Sequence, residues 1–276
     1  MNLIKTKSNV DLIIESFETG RILKGTILQI NINNDIKVSI SKSSTIYSIT
    51  IPNEDSTLYI PTKMLNENDK TKMTTYLKMY VGKTISFVVK DIKRNKEDTI
   101  INVTASMKLA RRNFLKNIRK SGLIPNTAKV NVIGVKPRYI VVEWNGIVQT
   151  VSDRQLSYSE IPDMKSYVSS NKCNLFEIVR FDAGLGYVEL DRKNIIGDIF
   201  KEKIENKEYS AGNLVLGTVC GKTADQRLLI EIEKEIIAIG YAPENIIVKK
   251  GDKVSGVITG IHKTKRKLYL SSITLV

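Results

Sequence analysis

Five cations, Arg111, Arg112, Lys116, Arg119 and Lys120, fall within ten residues, and no carboxylate interrupts the chain between Ala110 and Ala128. Guanidinium and ammonium groups gathered this densely suit charge-assisted hydrogen bonding to phosphate oxygens. Helical spacing places several of them on adjacent faces, opposite Leu109 and Phe114. The stretch therefore reads as a phosphate-contacting arm or as the solvated face of a helix, with both readings open. A second concentration, Lys263, Lys265, Arg266 and Lys267, follows the chain's single histidine, His262. It reads as a polar hairpin that either contacts a polyanion or keeps the surface soluble. Over the whole chain 43 Lys+Arg stand against 29 Asp+Glu, a net charge of +14. That balance favours polyanionic partners, nucleic acid or an acidic membrane surface.

Other chemistries lack their residues. There is no Gly-x-x-x-x-Gly-Lys-Ser/Thr phosphate loop and no Gly-x-Ser-x-Gly elbow. His262 would have to serve any Ser–His or Cys–His device, and nothing near it in sequence would orient it. Cys173 and Cys220 are the only cysteines and form no Cys-x-x-Cys pair, so no metal-ligand spacing exists. The expectation is a protein that is not an enzyme and holds no metal or cofactor, with two thiols in a reducing, cytoplasmic setting. The N-terminus lacks the apolar core and cleavage site of a signal peptide, and no run approaches a membrane span, so no membrane association is expected.

Most of the chain consists of short β-branched runs with period-two alternation, such as Ile46–Ile51, Ile85–Val89, Tyr139–Val142 and Leu228–Ile232. Such residues suit strands, and many short strands with frequent turn signals point to sandwiches or barrels. Two stretches have helical spacing instead. Leu109, Phe114, Leu115 and Ile118 predict a helix from about Ser106 to Gly122, and Ile195, Ile196, Ile199, Phe200 and Ile204 predict one from about Asn194 to Tyr209. Ile13, Ile14 and Phe17 suggest a short helix before the first strands.

The strand-rich segments repeat an order. The third opens Leu216-Gly217-Thr218-Val219, passes Gly240-Tyr241-Ala242-Pro243 and closes with Gly251-Asp252-Lys253-Val254 and Leu268-Tyr269-Leu270. The first runs Lys24-Gly25-Thr26-Ile27, then Tyr59-Ile60-Pro61-Thr62-Lys63, then Gly82-Lys83-Thr84-Ile85 and Ile101-Asn102-Val103. The second keeps the order more loosely, through Glu143-Trp144-Asn145-Gly146, Arg154-Gln155-Leu156 and Gly186-Tyr187-Val188. A Gly in the first strand permits the bend by which one strand serves both sheets of a small barrel.

This order resembles the S-one RNA-binding domain, the repeat of the largest protein of the bacterial small ribosomal subunit, also found in polynucleotide phosphorylase and several ribonucleases. The resemblance implies an all-β fold with helical linkers, namely three tandem five-stranded oligonucleotide-binding (OB-fold) barrels of the S-one type. The expected division is an N-terminal extension at 1–17, a first barrel at 18–108, a basic helical linker at 109–127, and a divergent second barrel at 128–193. A second helical linker follows at 194–210 and a third barrel at 211–276. Two steps of the family pattern are replaced. The Phe-Gly-x-Phe step reads Arg138-Tyr139-Ile140-Val141 and Gln226-Arg227-Leu228-Leu229, and the usual His falls near Ser152 and Pro243.

Carried onto this chain, the family's binding strands bring in Tyr59, Lys63, Arg138, Tyr139, Arg154, Arg227 and Tyr241 beside the linker and hairpin cations. Trp144, before the Asn145-Gly146 turn, reads as a base-stacking ring or as packing against a neighbouring domain. The expected function is sequence-tolerant binding of single-stranded RNA in translation, transcription or RNA handling. The alternatives are a protein-docking adaptor on the ribosome or RNA polymerase, and a single-stranded DNA-binding protein.

Overall fold

The computed structural model describes residues 8–40, 49–61, 70–97, 100–171, 173–184, 186–244 and 246–276. They fall into two units, the first made of the described residues within 8–135, 140–150 and 174–190, the second of those within 136–139, 151–173 and 191–276. Most of the regular structure is β, with a few helices. No helix among the described residues is long and apolar enough to cross a membrane.

The first unit opens with helix α1, Asn9–Thr19, started by a Ser8–Asp11 capping box and ended by Gly20 in the left-handed region. Fully buried Ser16 donates to the Arg21 carbonyl at 2.8 Å and accepts from the Val89 amide at 3.0 Å, which fixes the helix to the sheet beside it. Strands β1 (Leu23–Ile30), β2 (Ile36–Ser39), β3 (Ile49–Ile51), β4 (Thr84–Arg94) and β5 (Ile100–Ser106) close a barrel in the order β1-β2-β3-β5-β4. Helix α2, Lys70–Leu77, precedes β4. Ile27, Ile36, Val38, Ile49, Ile51, Phe87 and Val103 are at most 2% exposed and form the core. Strand β4 is buried continuously from Ile85 to Val89, because α1 and helix α3 (Met107–Ser121) both lie against it.

Next come β6 (Thr127–Lys129), β7 (Asn131–Val135), β8 (Tyr139–Trp144), β9 (Ile147–Ser152), β10 (Leu175–Asp182) and β11 (Tyr187–Asp191). They make two three-stranded sheets, β7-β8-β9 and β11-β10-β6. The barrel expected over 128–193 is therefore not closed among the described residues. Among the described residues between β9 and β10 there is no strand. The chain there runs instead through helices α4 (Asp153–Leu156) and α5 (Met164–Asn171), which periodicity did not announce. Glu143 of β8, fully buried, joins this region to the first barrel. Its carboxylate accepts from the Ser86 amide at 3.1 Å, the Gly146 amide at 2.8 Å and Asn131 Nδ2 at 2.9 Å.

The second unit holds the other closed barrel, made of β12 (Leu214–Lys222), β13 (Leu228–Glu233), β14 (Ile236–Gly240), β15 (Lys253–His262) and β16 (Lys267–Leu275). Its order, β12-β13-β14-β16-β15, matches that of the first, down to the parallel pairing of the third and fifth strands. This is the topology of oligonucleotide-binding barrels. The helix expected over Asn194–Tyr209 is two, α6 (Lys193–Ile196) and α7 (Ile199–Glu205), divided at Gly197 in the left-handed region. Asp198 caps the second, accepting from the Lys201 amide at 3.1 Å.

The repeat holds at the level of single hydrogen bonds. Ile27 and Val219 follow the first-strand glycines by two residues. Each donates to the carbonyl of Lys83 or Asp252 at 2.9 Å and accepts from the amide of Gly82 or Gly251 at 2.8 Å. Gly25 and Gly217 lie where the first strand passes between its two neighbours. A Cβ on either would sit 2.8 Å from a backbone carbonyl oxygen, that of Ser39 or of Glu231. Neither oxygen can swing aside as a side chain would. Gly25→Ala and Gly217→Ala are therefore expected to cost about 1–3 kcal/mol each in urea denaturation, the range for overpacking a closed core. Gly260→Ala, whose Cβ would meet nothing nearer than Tyr269 at 3.8 Å, is the control and should leave stability almost unchanged.

Candidate nucleic-acid interface

Helix α3 is set by its ends and its apolar side. Ser106 caps it, accepting from the Leu109 amide at 3.0 Å, and Gly122 ends it in the left-handed region, donating to the Ile118 carbonyl at 2.9 Å. Met107, Ala110 and Ile118 are buried, and Phe114 meets Trp144 edge-on with ring centroids 4.7 Å apart. Trp144 is thus a packing residue, 9% exposed, with no face open to a base.

The opposite side of α3 lines a cleft of about 610 Å³ with Lys108, Arg111, Arg112, Lys116 and Arg119. The far wall is the turn between β10 and β11. Arg111 Nη2 donates to the Gly186 carbonyl at 3.1 Å, and Arg119 Nη2 donates to the Ala183 carbonyl. These two guanidiniums hold the wall. Lys108, Arg112 and Lys116 have no ion-pair partner among the described residues, so their charge stays available to the cleft. Lys120 is exposed but outside the cleft lining.

The second unit carries its own group of cations. Arg138, Arg154, Lys193 and Arg266 line a pocket of about 370 Å³ around Tyr158. Arg266 is held by Asp198, through Nε to both carboxylate oxygens at 3.2 Å and Nη2 to one at 2.6 Å. That hydrogen bonding lowers the carboxyl of Asp198 and raises the guanidinium of Arg266. The Arg266 guanidinium stands 5.0 Å from the Tyr158 ring centroid and Lys193 Nζ 5.4 Å from it. Arg138 pairs with Asp153 at 3.1 Å.

The outer faces of the two barrels differ position by position. In the first barrel one cross-strand row reads Gln29, Lys37, Thr50, Thr104. The same positions in the second read Gly221, Leu229, Ile239, Tyr269. The polar row is open, with Gln29 and Lys37 exposed. The apolar row forms a second core layer in which Leu229, Ile237 and Ile239 are at most 6% exposed and Cys220 and Tyr269 pack at the side. Residues 157–171 cross this layer. Ser159 Oγ donates to the Glu235 carbonyl at 2.6 Å, Ser157 Oγ donates to the Glu235 carboxylate, and Tyr167 donates to it at 2.7 Å. Glu160 pairs with Lys267 and Asp163 with Lys250, while Ile161 and Pro162 line a cavity of about 210 Å³ with Cys220 and Ile237. Arg192 braces the far end, donating to Tyr167 Oη and the Asn171 carbonyl, each at 3.0 Å. Burial and the Glu235 carboxylate push the Tyr167 phenol well above its ordinary range, which keeps it a donor. Burial also raises the buried Cys173 thiol and pushes Cys220 up to about 11, so both stay protonated.

The remaining sequence-selected residues are dispersed. Half-buried Tyr59 uses its carbonyl to accept from Tyr80 Oη at 2.8 Å, and Tyr139 is half-buried at the start of β8. Lys63 lies outside the described residues. Arg227 pairs with Asp225 at 2.8 Å, and Tyr241 is 73% exposed just beyond β14. The basic hairpin does not act as one unit. Lys263 and Lys265 are exposed, Arg266 turns to Asp198, and Lys267 turns to Glu160. Among the described residues no group of three or more His, Cys, Asp or Glu could hold a metal ion. Sequence reading passed over Lys108, Tyr158 and Lys193. The signal for Lys108 was that it continues the four-residue spacing of Arg112 and Lys116, whereas nothing local marks the other two.

No family model matches the chain, and no curated protein does. Among solved structures, one described as a multidomain protein with nucleic acid binding domains from Streptococcus pneumoniae is 12% identical. It covers 91% of this chain and 72% of its own, with a TM-score of 0.20. Another, described as "Structural mimicry for functional antagonism", is 14% identical and covers 93% and 92%, also with a TM-score of 0.20. Overlap at that level carries no argument, so the barrel assignment rests on strand order and register.

The crossing segment has a pH dependence of its own. The Lys250 hydrogen bond holds the Asp163 carboxyl at about 2, below its usual value near 4 in an unfolded chain. A carboxyl depressed on folding stabilises the native state above the unfolded value, and this contribution is lost as pH falls from about 4 towards 2. Asp163→Asn keeps a good cap for α5, where Asp163 now accepts from the Lys165 amide at 3.0 Å. It should cost about 1 kcal/mol near neutrality, the scale of a partly solvated ion pair. Thermal melts of both proteins should converge as pH approaches 2.

Proposed function

We propose that the protein binds single-stranded nucleic acid, RNA by preference, without catalysing a reaction, and that the cleft along α3 takes the sugar-phosphate backbone. The observation that carries this reading is the set Lys108, Arg112 and Lys116 on one edge of the cleft, cations with no ion-pair partner among the described residues. Four helical residues rise about 6 Å, comparable with the separation of successive phosphates along a strand, so the three cations can meet consecutive phosphates. Arg111 and Arg119 act as positioning residues that keep the opposite wall in place. The open polar row of the first barrel, Gln29, Lys37 and Thr50, offers further hydrogen bonds of the kind that such barrels give to oligonucleotides. Contacts of this type favour sequence-tolerant binding.

One observation favours a second reading, a protein-docking adaptor on the ribosome or RNA polymerase. The corresponding row of the second barrel is apolar and already packs against another segment of this chain. The two readings separate on salt. Backbone contact to a single strand releases counterions, with a slope of about −0.7 in log K per log salt for each phosphate neutralised. Lys108→Gln/Arg112→Gln/Lys116→Gln should weaken RNA of any sequence tenfold or more and flatten the slope by about 2. Native-like affinity in this variant by fluorescence anisotropy would remove the cleft as the site. A matched DNA oligomer tests the RNA preference, since only a reader of the 2′-hydroxyl separates the two.

A further inference from the structure

The pocket around Tyr158 is assembled from four separate pieces of chain. Arg138 precedes β8, Arg154 lies in α4, Lys193 opens α6, and Arg266 sits at the β15–β16 turn, itself in the left-handed region with φ 50°. Two carboxylates, Asp153 and Glu160, line the same concavity, and Glu160 is paired with Lys267, so the four cations outnumber the acids around them. Three of the cations pair with carboxylates, one of which, Asp153, itself lines the pocket. Asp198 grips Arg266, Asp153 pairs with Arg138 at 3.1 Å, and Asp191 lies 3.3 Å from Lys193. Arg154 is exposed and has no ion-pair partner among the described residues. The side chains of Arg266 and Lys193 are only 30% and 27% exposed, so they are already partly desolvated and fixed before any ligand arrives. Arg138, by contrast, is 78% exposed like its neighbour Arg154, so one fixed guanidinium and one fixed ammonium stand beside two freer guanidiniums, all with N–H groups suited to phosphate.

We infer that the second unit carries a phosphate-binding site of its own at Arg138, Arg154, Lys193 and Arg266, so that the protein holds one nucleic-acid strand at two points, one in each unit. This rests on the α3 cleft being the other point. The pocket is a backbone clamp and not a base pocket, because Tyr158 already has two cations close to its ring. Two linked sites change the dependence on strand length. A strand long enough to reach both gains avidity, whereas one confined to a single site does not.

The test uses the full chain and single-stranded RNA of about 5 and about 30 nucleotides, lengths chosen to engage one site or both. Arg138→Gln/Arg154→Gln/Lys193→Gln leaves the Arg266–Asp198 pair in place, and thermal melting confirms that the variant is folded. It should weaken the long RNA by about tenfold to a hundredfold and flatten its salt slope by about 2, while the short RNA changes by no more than about twofold. If the long RNA binds this variant as it binds the native protein, the second site is wrong. Loss of long-RNA binding in the Lys108/Arg112/Lys116 variant alone would then leave the α3 cleft standing by itself. If neither variant changes affinity or slope, both sites fall. If the short RNA loses as much as the long one in the Arg138/Arg154/Lys193 variant, the pocket is a sole site and the two-point arrangement is overturned.

Discussion

A five-stranded barrel closes only if its first strand can lie between two neighbours at once, and here that requirement falls on Gly25 and Gly217. Each sits where a Cβ would press on a carbonyl oxygen of the adjoining strand. Closure then follows from pairings on both sides of the same strand, β1 with β2 and β4, and β12 with β13 and β15. Closing removes the exposed strand edges that would otherwise pair with other chains. It also decides, by simple alternation, which residue of every strand points inward. The bulges after Ile27 and Val219 fall at the same step, so the two barrels share a frame to the residue.

A shared frame does not require shared surfaces. The inward positions must be apolar in both barrels, and they are. The outward positions carry no such demand, and this is where the copies part. An outward row of Leu229, Ile239 and Tyr269 costs free energy unless something covers it, at about 25 cal/mol per Å² of apolar surface left wet. Residues 157–171 supply the cover, and polar ties fix their path. Buried Glu235 stands at a hairpin in the left-handed region and collects donors from Ser157 and Tyr167. Buried Glu143 does the same for the first unit, with donors from Ser86, Asn131 and Gly146. A buried carboxylate without donors costs several kcal/mol, so each one demands that distant segments arrive together. That demand sets position more sharply than apolar packing can.

The parts legible in the sequence were those whose cause is local. Helix α3 showed its cap, its apolar spacing and its terminal glycine within seventeen residues, and the Gly-Thr-aliphatic step marked the first strand of both closed barrels. The middle region misled because Val141–Gly146 is a true strand and turn, while the described residues around it form two three-stranded sheets and not a closed barrel. The crossing segment was invisible for a related reason. Ile161 and Met164 are its buried apolar residues, too sparse for a period, and its remaining ties reach Glu235, Lys250 and Lys267 far along the chain. The candidate site was half legible. Charge density located Arg111, Arg112, Lys116 and Arg119, but nothing in their spacing says that two of them brace a wall. Nor does any local pattern bring Arg138, Arg154 and Arg266 to one pocket.

Helix α3 shows how such a surface is tolerated. Like charges one turn apart destabilise a helix by a few tenths of a kcal/mol per pair, and Lys108, Arg112 and Lys116 form two such pairs. Arg111 and Arg119 bear on the same side, and the helix carries no acid to offset any of them. Arg119 and Lys120 recover part of the cost by lying in the last turn, where the helix dipole favours cations. The larger compensation comes from the other face. Burying Met107 and Ile118 alone contributes about 3–6 kcal/mol, several times the repulsion, and the Ser106 cap adds about 1 kcal/mol. Tertiary packing therefore holds in place a charge pattern that an isolated peptide would resist. The core, and not a set of counter-charges on the helix itself, keeps α3 folded.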